Sequence, residues 1–461
     1  MASFAQSLGD EEMRLVFGQL DVGALAACRR TCRAWRALSI EAMSHWAHAA
    51  TPQSSACLCT KPGKAVAIAE LLAFVGKLAF RPNLGIITIS STFTTRHRDE
   101  IVAAVGASLP PDLVLVGTSC LGALGPAAAG SCEPVERENG ASISLHVQQL
   151  PATSVHFFAM RDMGAPIVDV ELAVRRTRSG RADGQSLFNH WMDQIHKDAM
   201  PGATGGGGLF VFTAAQRDDD VQRVNDWLDG YDLPICGGHA SGSSARVYLY
   251  NGRRGGLLSV GARTHTMFVV LRSAACAMRT CVVCEEWGAG AAAHAVAMRA
   301  FARAQPCEHF AHRLLAYGPP LEVVHAAFIV SCVGRGRNFH GGAANCESRA
   351  LLAALAPCAP TLTGFFSQGE IGPRGPAEPM PFSHQFGCAV ALFGTPARET
   401  DAERASRSES VCGFRECVCD SLPAGPWDAH WVHVQPFQPP AVEEAGQADA
   451  DDAGAAPVAH G

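Results

Sequence analysis

Four apolar, β-prone runs of this chain each end in glycine, and this repeated pattern restricts the fold more than any other feature. The runs occupy residues 113–117, 233–238, 325–336 and 361–372. Glycine lets the backbone leave a strand at angles that other residues resist. The first run follows a predicted strand, 84–92, and a predicted helix, 98–109, and this order indicates a parallel crossover. The pattern therefore predicts a mixed α/β body in which glycine-rich strand ends carry the site.

The candidate site is a cleft formed where these strand ends converge. Arg335 is suited to hold a carboxylate through two hydrogen bonds, and Glu370 is suited to hold an amine. In one alternative, Arg335 and Glu370 pair with each other and hold two loops together. In another, 364–372 is a tight turn in which Glu370 faces water. His239 is either a ligand or base, or a hydrogen-bonded turn histidine. The candidate cleft residues are Gly237, Gly238, His239, Cys332, Gly334, Arg335, Gly336, Gly369 and Glu370.

Composition narrows the class of partner. A length of 461 residues suffices for roughly two to four domains, and the net charge of −6 provides no basic field for nucleic acid. The N-terminus lacks the basic start and apolar core of a signal peptide. The longest apolar segment, 65–80, is interrupted by Glu70 and Lys77, so it predicts an amphipathic helix and not a membrane span. We expect a cytoplasmic or nuclear protein.

The 18 cysteines do not predict a metal site. Cys281 and Cys284 have no second pair at finger-like spacing, and without a secretion signal disulfides are not expected. Cys332 is the best candidate nucleophile, with Arg335 available to lower its pKa, but its place at the end of an apolar strand favours an inert thiol. We therefore predict no catalytic residue, no cofactor and no metal.

The N-terminal unit, residues 8–50, carries apolar stripes at helical spacing. With its segment from Cys32 to Trp35, it resembles an F-box. The resemblance implies three helices that bind the Skp1 adaptor and, through it, a cullin; the alternative is an ordinary three-helix start to the core. The implied Skp1-binding residues are Leu8, Met13, Val16, Phe17, Leu20, Leu25, Cys32 and Trp35.

The segments 332–336 and 364–372, followed by a strand near 389–393, resemble the C-terminal half of a FIST domain. Segments 116–122 and 234–242 resemble its N-terminal half. The resemblance implies an α+β or α/β architecture: an F-box (8–50), a linker and connecting helix (51–83), two FIST lobes (84–288 and 289–395) and a disordered acidic tail (396–461). It further implies a noncatalytic substrate receptor of an SCF (Skp1–cullin–F-box) ubiquitin ligase, or alternatively a small-ligand sensor in signal transduction.

Four shorter segments carry local signals. Residues 51–64 are a polar linker, and 125–139 are a mobile surface loop rich in glycine, alanine and proline. Residues 310–317 are expected to be helical. Asn251 and Gly252 form the turn of a hairpin that runs from 246 to 261.

Overall fold

The computed structural model describes Trp35 and most of the chain between residues 52 and 416. The described ranges are 35, 52–128, 131, 133–151, 153–161, 165–166, 188–189, 191–193, 207–214, 233–241, 245–252, 256–261, 266–273, 275–285, 295, 298, 312–356, 358–373, 383–384, 387–397 and 415–416. Almost all of the predicted F-box, and the predicted tail apart from 396–397 and 415–416, lie outside these ranges. Every described residue belongs to one unit, Met1–Val418.

The described residues form strands and helices that alternate in the first part of the chain. The helices are α1 (Lys64–Val75), α2 (Thr95–Ser108) and α3 (Cys346–Ala354). The strands are β1 (Gln53–Cys59), β2 (Leu84–Ser90), β3 (Val114–Cys120), β4 (Gly122–Pro126), β5 (Pro134–Arg137), β6 (Ile143–Gln149), β7 (Thr153–Arg161), β8 (Ala165–Pro166), β9 (Gly207–Thr213), β10 (Ile235–His239), β11 (Arg246–Asn251), β12 (Gly256–Gly261), β13 (Thr266–Ser273), β14 (Ala277–Glu285), β15 (His312–Tyr317), β16 (Leu321–Cys332), β17 (Thr361–Ser367), β18 (Glu370–Ile371), β19 (Ser383–His384), β20 (Gly387–Pro396) and β21 (Arg415–Glu416).

These strands assemble into three mixed sheets. The strand order is β1-β6-β2-β3-β11-β12 in the first sheet, β19-β18-β10-β9-β13-β7-β8 in the second and β21-β15-β14-β20-β16-β17-β4-β5 in the third. Parallel pairing joins β2 to β3, β9 to β10 and β16 to β17, and the other strand pairs are antiparallel. The mixed α/β class predicted from the sequence is confirmed, as is the crossover from β2 through α2 to β3.

One apolar core lies between the three sheets. The side chains of Ile86 in the first sheet, Phe210 in the second and Phe328 in the third belong to this single buried cluster. The rings of Phe210 and Phe328 meet edge to face, with centroids 5.5 Å apart. Alternating side chains such as Ile87 and Ile329 point into separate clusters on the opposite sheet faces. Strands buried on both faces require continuous apolar runs, and this requirement explains the runs in the sequence.

The outer faces of the first and third sheets are covered by the helices. Residues of α1 and α2, among them Leu71 and Ile101, pack on the first sheet, and Leu351 of α3 packs on the third. Helix α2 begins at a threonine cap, where the Thr94 side chain accepts a hydrogen bond from the His97 backbone N–H at 3.2 Å. It ends before two prolines, as the sequence predicts.

Three of the four local predictions are wrong, and the hairpin named in the fourth is present. Residues 53–59 are not a linker, because β1 pairs along its whole length with β6. Residues 125–139 are not simply a loop, because β4 and β5 form a hairpin at the edge of the third sheet. Residues 312–317 are strand β15 and not helix, since β14 and β21 pair with its two edges. The hairpin of β11 and β12 is confirmed, but its predicted turn is not, because Asn251 is the last residue of β11 and pairs with Gly256.

The third sheet also combines strands from both predicted FIST lobes. Strand β17 pairs with β4, and β14 pairs with β20, so strands on the two sides of residue 288 share one sheet. A boundary at this residue therefore does not separate two sheets.

Candidate functional site

The glycine-rich strand ends do converge. Strand β10 pairs antiparallel with β18, which places Gly237 opposite Ile371 and Gly238 opposite Glu370. Strand β16 ends beside β17, with Cys332 opposite Ser367. The predicted grouping of segments 237–239, 332–336 and 369–370 therefore corresponds to neighbouring backbone segments at one end of the body.

The hydroxyl of Ser367 joins two of these strand ends. It accepts a hydrogen bond from the His239 backbone N–H at 2.9 Å and lies 2.6 Å from the Gly369 carbonyl oxygen, to which it donates. The Gly369 carbonyl oxygen also accepts from the His239 N–H, again at 2.9 Å. Ser367 is not among the predicted cleft residues, although a serine between a strand and a glycine is typical of turns.

The end of β3 reaches the same region through a second serine. The Ser241 backbone N–H donates to the Ser119 carbonyl oxygen at 3.0 Å, and the Ser119 hydroxyl accepts from the Arg246 N–H at 2.9 Å. Serine hydroxyls thus satisfy backbone groups where strands of different sheets approach each other.

Glycine at position 237 is required by a close approach between strands. A Cβ atom there would lie 1.8 Å from the Val211 carbonyl oxygen of the neighbouring parallel strand. No side chain fits at that distance, so the predicted glycine serves strand packing.

Arg335 forms the charged centre of the site. Its side chain is fully buried, and its Nε donates to Oε1 of Glu347 at 2.5 Å. The guanidinium also lies 4.7 Å from the centroid of the Phe339 ring, and His340 Nε2 lies 3.4 Å from the same Glu347 oxygen. The alternative prediction, that Arg335 pairs with Glu370, is wrong because the paired carboxylate belongs to Glu347.

Glu347 is not among the predicted site residues, although its position at the start of a predicted helix is a recognisable signal. It lies in the first turn of α3, where the helix dipole favours an acidic residue. Its side chain is 1% exposed, so the ion pair with Arg335 is enclosed by protein.

Glu370 is also fully buried, close to this pair. Its Oε2 accepts from the Gly387 backbone N–H at 3.0 Å, whereas Oε1 has no donor within the part of the chain described. Burial raises the pKa of Glu370 well above its ordinary value, and the Gly387 N–H and the Arg335 charge oppose that rise only in part. This shift disfavours the ionised form of Glu370, and with it the negative charge predicted for binding an amine.

Two further acidic residues, Glu136 and Glu138, contact the site from the hairpin of β4 and β5, which was predicted to be a loop. Glu136 Oε1 accepts from both the backbone N–H and the hydroxyl of Ser348, each at 2.7 Å, at the start of α3. Burial, followed by the charge of Glu347, raises the pKa of Glu136 to about 7. Glu138 accepts from the Arg337 backbone N–H at 2.6 Å. The hairpin is therefore fastened to the loop that carries Arg335.

The site is enclosed instead of open. His239 is 8% exposed, Cys332 is 7% exposed, and Arg335 and Glu370 are inaccessible. Gly336 faces the Glu138 carboxylate, where a Cβ would lie 2.3 Å from Oε2. In this arrangement the Glu347 carboxylate compensates the charge of the buried Arg335 guanidinium. The hydrogen bonds around it connect the ends of neighbouring strands.

Among the predicted Skp1-binding residues, the structure describes Trp35, which is helical and half-buried. The seven others fall outside the described residues: Leu8, Met13, Val16, Phe17, Leu20, Leu25 and Cys32.

The described ranges contain neither a membrane-spanning helix nor a cluster of metal ligands. None of the helices there combines the length and apolar character needed to cross a bilayer. Likewise, no three or more His, Cys, Asp or Glu side chains in those ranges are grouped so as to hold a metal ion.

Comparison of the chain with models of protein families gives no match, and comparison with curated proteins gives none either. The assignment of function therefore depends on the sequence motifs and on the geometry described above.

Proposed function

We propose that this chain is the noncatalytic substrate-recognition subunit of a Skp1–cullin–F-box ubiquitin ligase. Residues 8–50 bind Skp1, and the three-sheet body binds the client, which is then ubiquitinated for proteasomal degradation. The observation that carries the proposal is the F-box-like stripe ending in Cys32 and Trp35, placed directly before the body.

The position of Trp35 supports this role. Its helical backbone agrees with the predicted stripe at positions 25, 28, 32, 35 and 38, and its partial exposure is compatible with a partner covering the ring. Large aromatic side chains at the centre of an interface commonly carry much of the binding energy. Two positions depart from the F-box pattern, Gly9 in place of proline and Thr31 in place of valine.

The character of the body supports a binding role over a catalytic one. The Cys332 thiol, the best candidate nucleophile, is nearly inaccessible at the end of β16, and Arg335 contacts Glu347. A receptor needs no reactive group of its own, because it acts by raising the effective concentration of the client near the ubiquitin-loaded enzyme.

Co-purification of Skp1 with the full chain from cells tests the proposal. Wild type should capture Skp1, and Trp35→Ala should lose most of it. Arg36→Ala is the matched control, since Arg36 adjoins Trp35 but lies off the predicted stripe. Equal capture by wild type and Trp35→Ala, with equal thermal unfolding midpoints, would contradict the receptor function.

A small-ligand sensor for signal transduction is the second candidate function. The buried Glu370 Oε1, which has no donor within the described residues, favours it, because a small ligand enclosed by the protein at this site would supply that donor. A thermal-shift screen with amino acids tests it, using Glu370→Gln as the isosteric variant. A ligand that stabilises wild type and Glu370→Gln equally does not bind at this carboxyl group.

A further inference from the structure

A cavity of about 590 Å³ lies at the opposite end of the strands that carry the enclosed site. It is bounded by the start of β1, the residues that follow α1, the amino end of β16 and the turn before β17. From Val324 to Cys332, at the two ends of β16, the strand spans roughly 25 Å at ~3.3 Å per residue. The cavity is therefore separate from the cluster around Arg335 and does not depend on the proposed receptor function.

The lining of the cavity combines apolar side chains with polar ones, among them Gln53 and Ser55, and with one cationic group. The apolar part comes from both sides, with Phe74, Leu78 and Phe80 after or within α1 and Val323 and Val324 on β16. Val323 is 39% exposed, which is unusual for a large aliphatic side chain on a strand of this body. Phe74 and Phe80 are nearly buried, so an aromatic or aliphatic group placed here would contact their edges and cover mainly the exposed side chain of Val323.

Lys77 supplies the charge. It is exposed, and no aspartate or glutamate is among the residues that line the cavity. The ion pairs within the described ranges occupy Lys64 but not Lys77. Burial lowers the pKa of His325, a second lining residue, so its imidazole is neutral at pH 7. The cavity thus presents a single positive charge beside an apolar surface.

Hydrogen bonds between separate elements hold the walls of the cavity in place. The Ser54 hydroxyl donates to the His325 carbonyl oxygen at 2.9 Å, and the Thr361 hydroxyl donates to the Ser54 carbonyl oxygen at 3.2 Å. Ala359, on the rim, has a φ of +43°, a conformation that L-residues rarely adopt. Such strain persists where the surroundings fix the backbone, and it is common at ligand-binding sites. The cavity is therefore preformed.

We propose that this cavity binds a small amphipathic anion with an aromatic or branched apolar body and one carboxylate. The apolar body lies against Phe74, Phe80 and Val323, and the carboxylate pairs with the Lys77 ammonium. The volume falls in the range of about 300–1,000 Å³ that small-molecule sites usually occupy. A single cation without a competing acid selects an anionic ligand over its neutral or cationic analogues.

Calorimetric titration of the full chain with 2-naphthoate, and with 2-naphthylmethanol as its neutral analogue, tests the proposal. Wild type should bind naphthoate, and Lys77→Met should weaken that binding about fivefold, as the loss of one exposed ion pair would. Lys77→Met should leave the affinity for the neutral analogue unchanged. Lys61→Met is the matched control, since Lys61 is also exposed but does not line the cavity.

Val323→Asp separates this cavity from any other site, because it places a negative charge on the apolar wall at an exposed position. It should reduce the affinity for both probes at least tenfold, with an unchanged thermal unfolding midpoint. The proposal is overturned if wild type binds neither probe at millimolar concentration, if Lys61→Met and Lys77→Met behave alike, or if Val323→Asp binds naphthoate as wild type does.

Discussion

Removing one partner of the buried pair between Arg335 and Glu347 should be among the most costly single changes in the body. The two side chains are 0% and 1% exposed, and Arg335 Nε lies 2.5 Å from Glu347 Oε1. Arg335→Met leaves the Glu347 carboxylate buried without its guanidinium, and breaking such a pair costs about 3–5 kcal/mol. Glu347→Gln removes the charged oxygen to which Arg335 Nε donates, and we expect a similar loss.

The double variant Arg335→Met/Glu347→Gln carries neither charge, so it should be more stable than the sum of the single losses predicts. We expect a coupling free energy of at least about 2 kcal/mol. Urea unfolding followed by circular dichroism at pH 7 measures each free energy of unfolding, provided that the denaturant slope is unchanged. Arg349→Met is the control. Arg349 is 59% exposed and 3.8 Å from Glu133, so its loss should cost less than about 0.5 kcal/mol. Single losses below about 1 kcal/mol, or strict additivity, would refute this account of the site.

Two further perturbations follow from the same region. Burial raises the pKa of Glu136 to about 7 in the folded protein, from an ordinary value of 4.5. Between pH 4.5 and pH 7 the folded state therefore binds more protons than the unfolded state. Stability should fall by at most about 3 kcal/mol as the pH rises from 4.5 through 7. Glu136→Gln should abolish that part of the slope in urea midpoints, and parallel profiles for variant and wild type would contradict this. Gly237→Ala places a Cβ 1.8 Å from the Val211 carbonyl oxygen, so it should lower the free energy of unfolding by at least about 3 kcal/mol or prevent folding. Gly76→Ala is the control: its φ of −65° suits alanine, so the thermal unfolding midpoint should change little. An equal effect of the two glycine substitutions would be the contrary result.

The elements that sequence patterns predicted correctly are those defined by local signals. Strand β3 is an apolar run that follows a capped helix and two prolines. The hairpin of β11 and β12 joins two β-prone runs that are close together in the sequence. The elements missed depend on distant partners. Strand β1 pairs with a strand about ninety residues later, with Gln53 opposite Gln149, and its polar residues 53–55 suggested a linker. Strand β15 is held by β14 and β21 on its two edges, and that tertiary pairing overrides the local helical tendency.

The candidate site shows the same division. The sequence could predict that the segments around Gly237 and Gly369 lie close together, because that prediction depends only on strands that end in glycine. The partner of Arg335 could not, since Glu347 and Glu370 are equally plausible acids and only packing distinguishes them. The enclosure of the site was also unpredictable, because it depends on Glu136 and Glu138 from a hairpin with no strong strand signal.

The direct test of the central claim is the mass of the complex formed by the purified full chain and purified Skp1. Size-exclusion chromatography with light scattering should give a one-to-one complex for wild type and for Arg36→Ala, the 48.5 kDa chain plus one Skp1. The account predicts separate elution for Trp35→Ala with an unchanged unfolding midpoint. Separate elution of wild type and Skp1 at micromolar concentrations would contradict the claim that this chain is a Skp1-binding receptor.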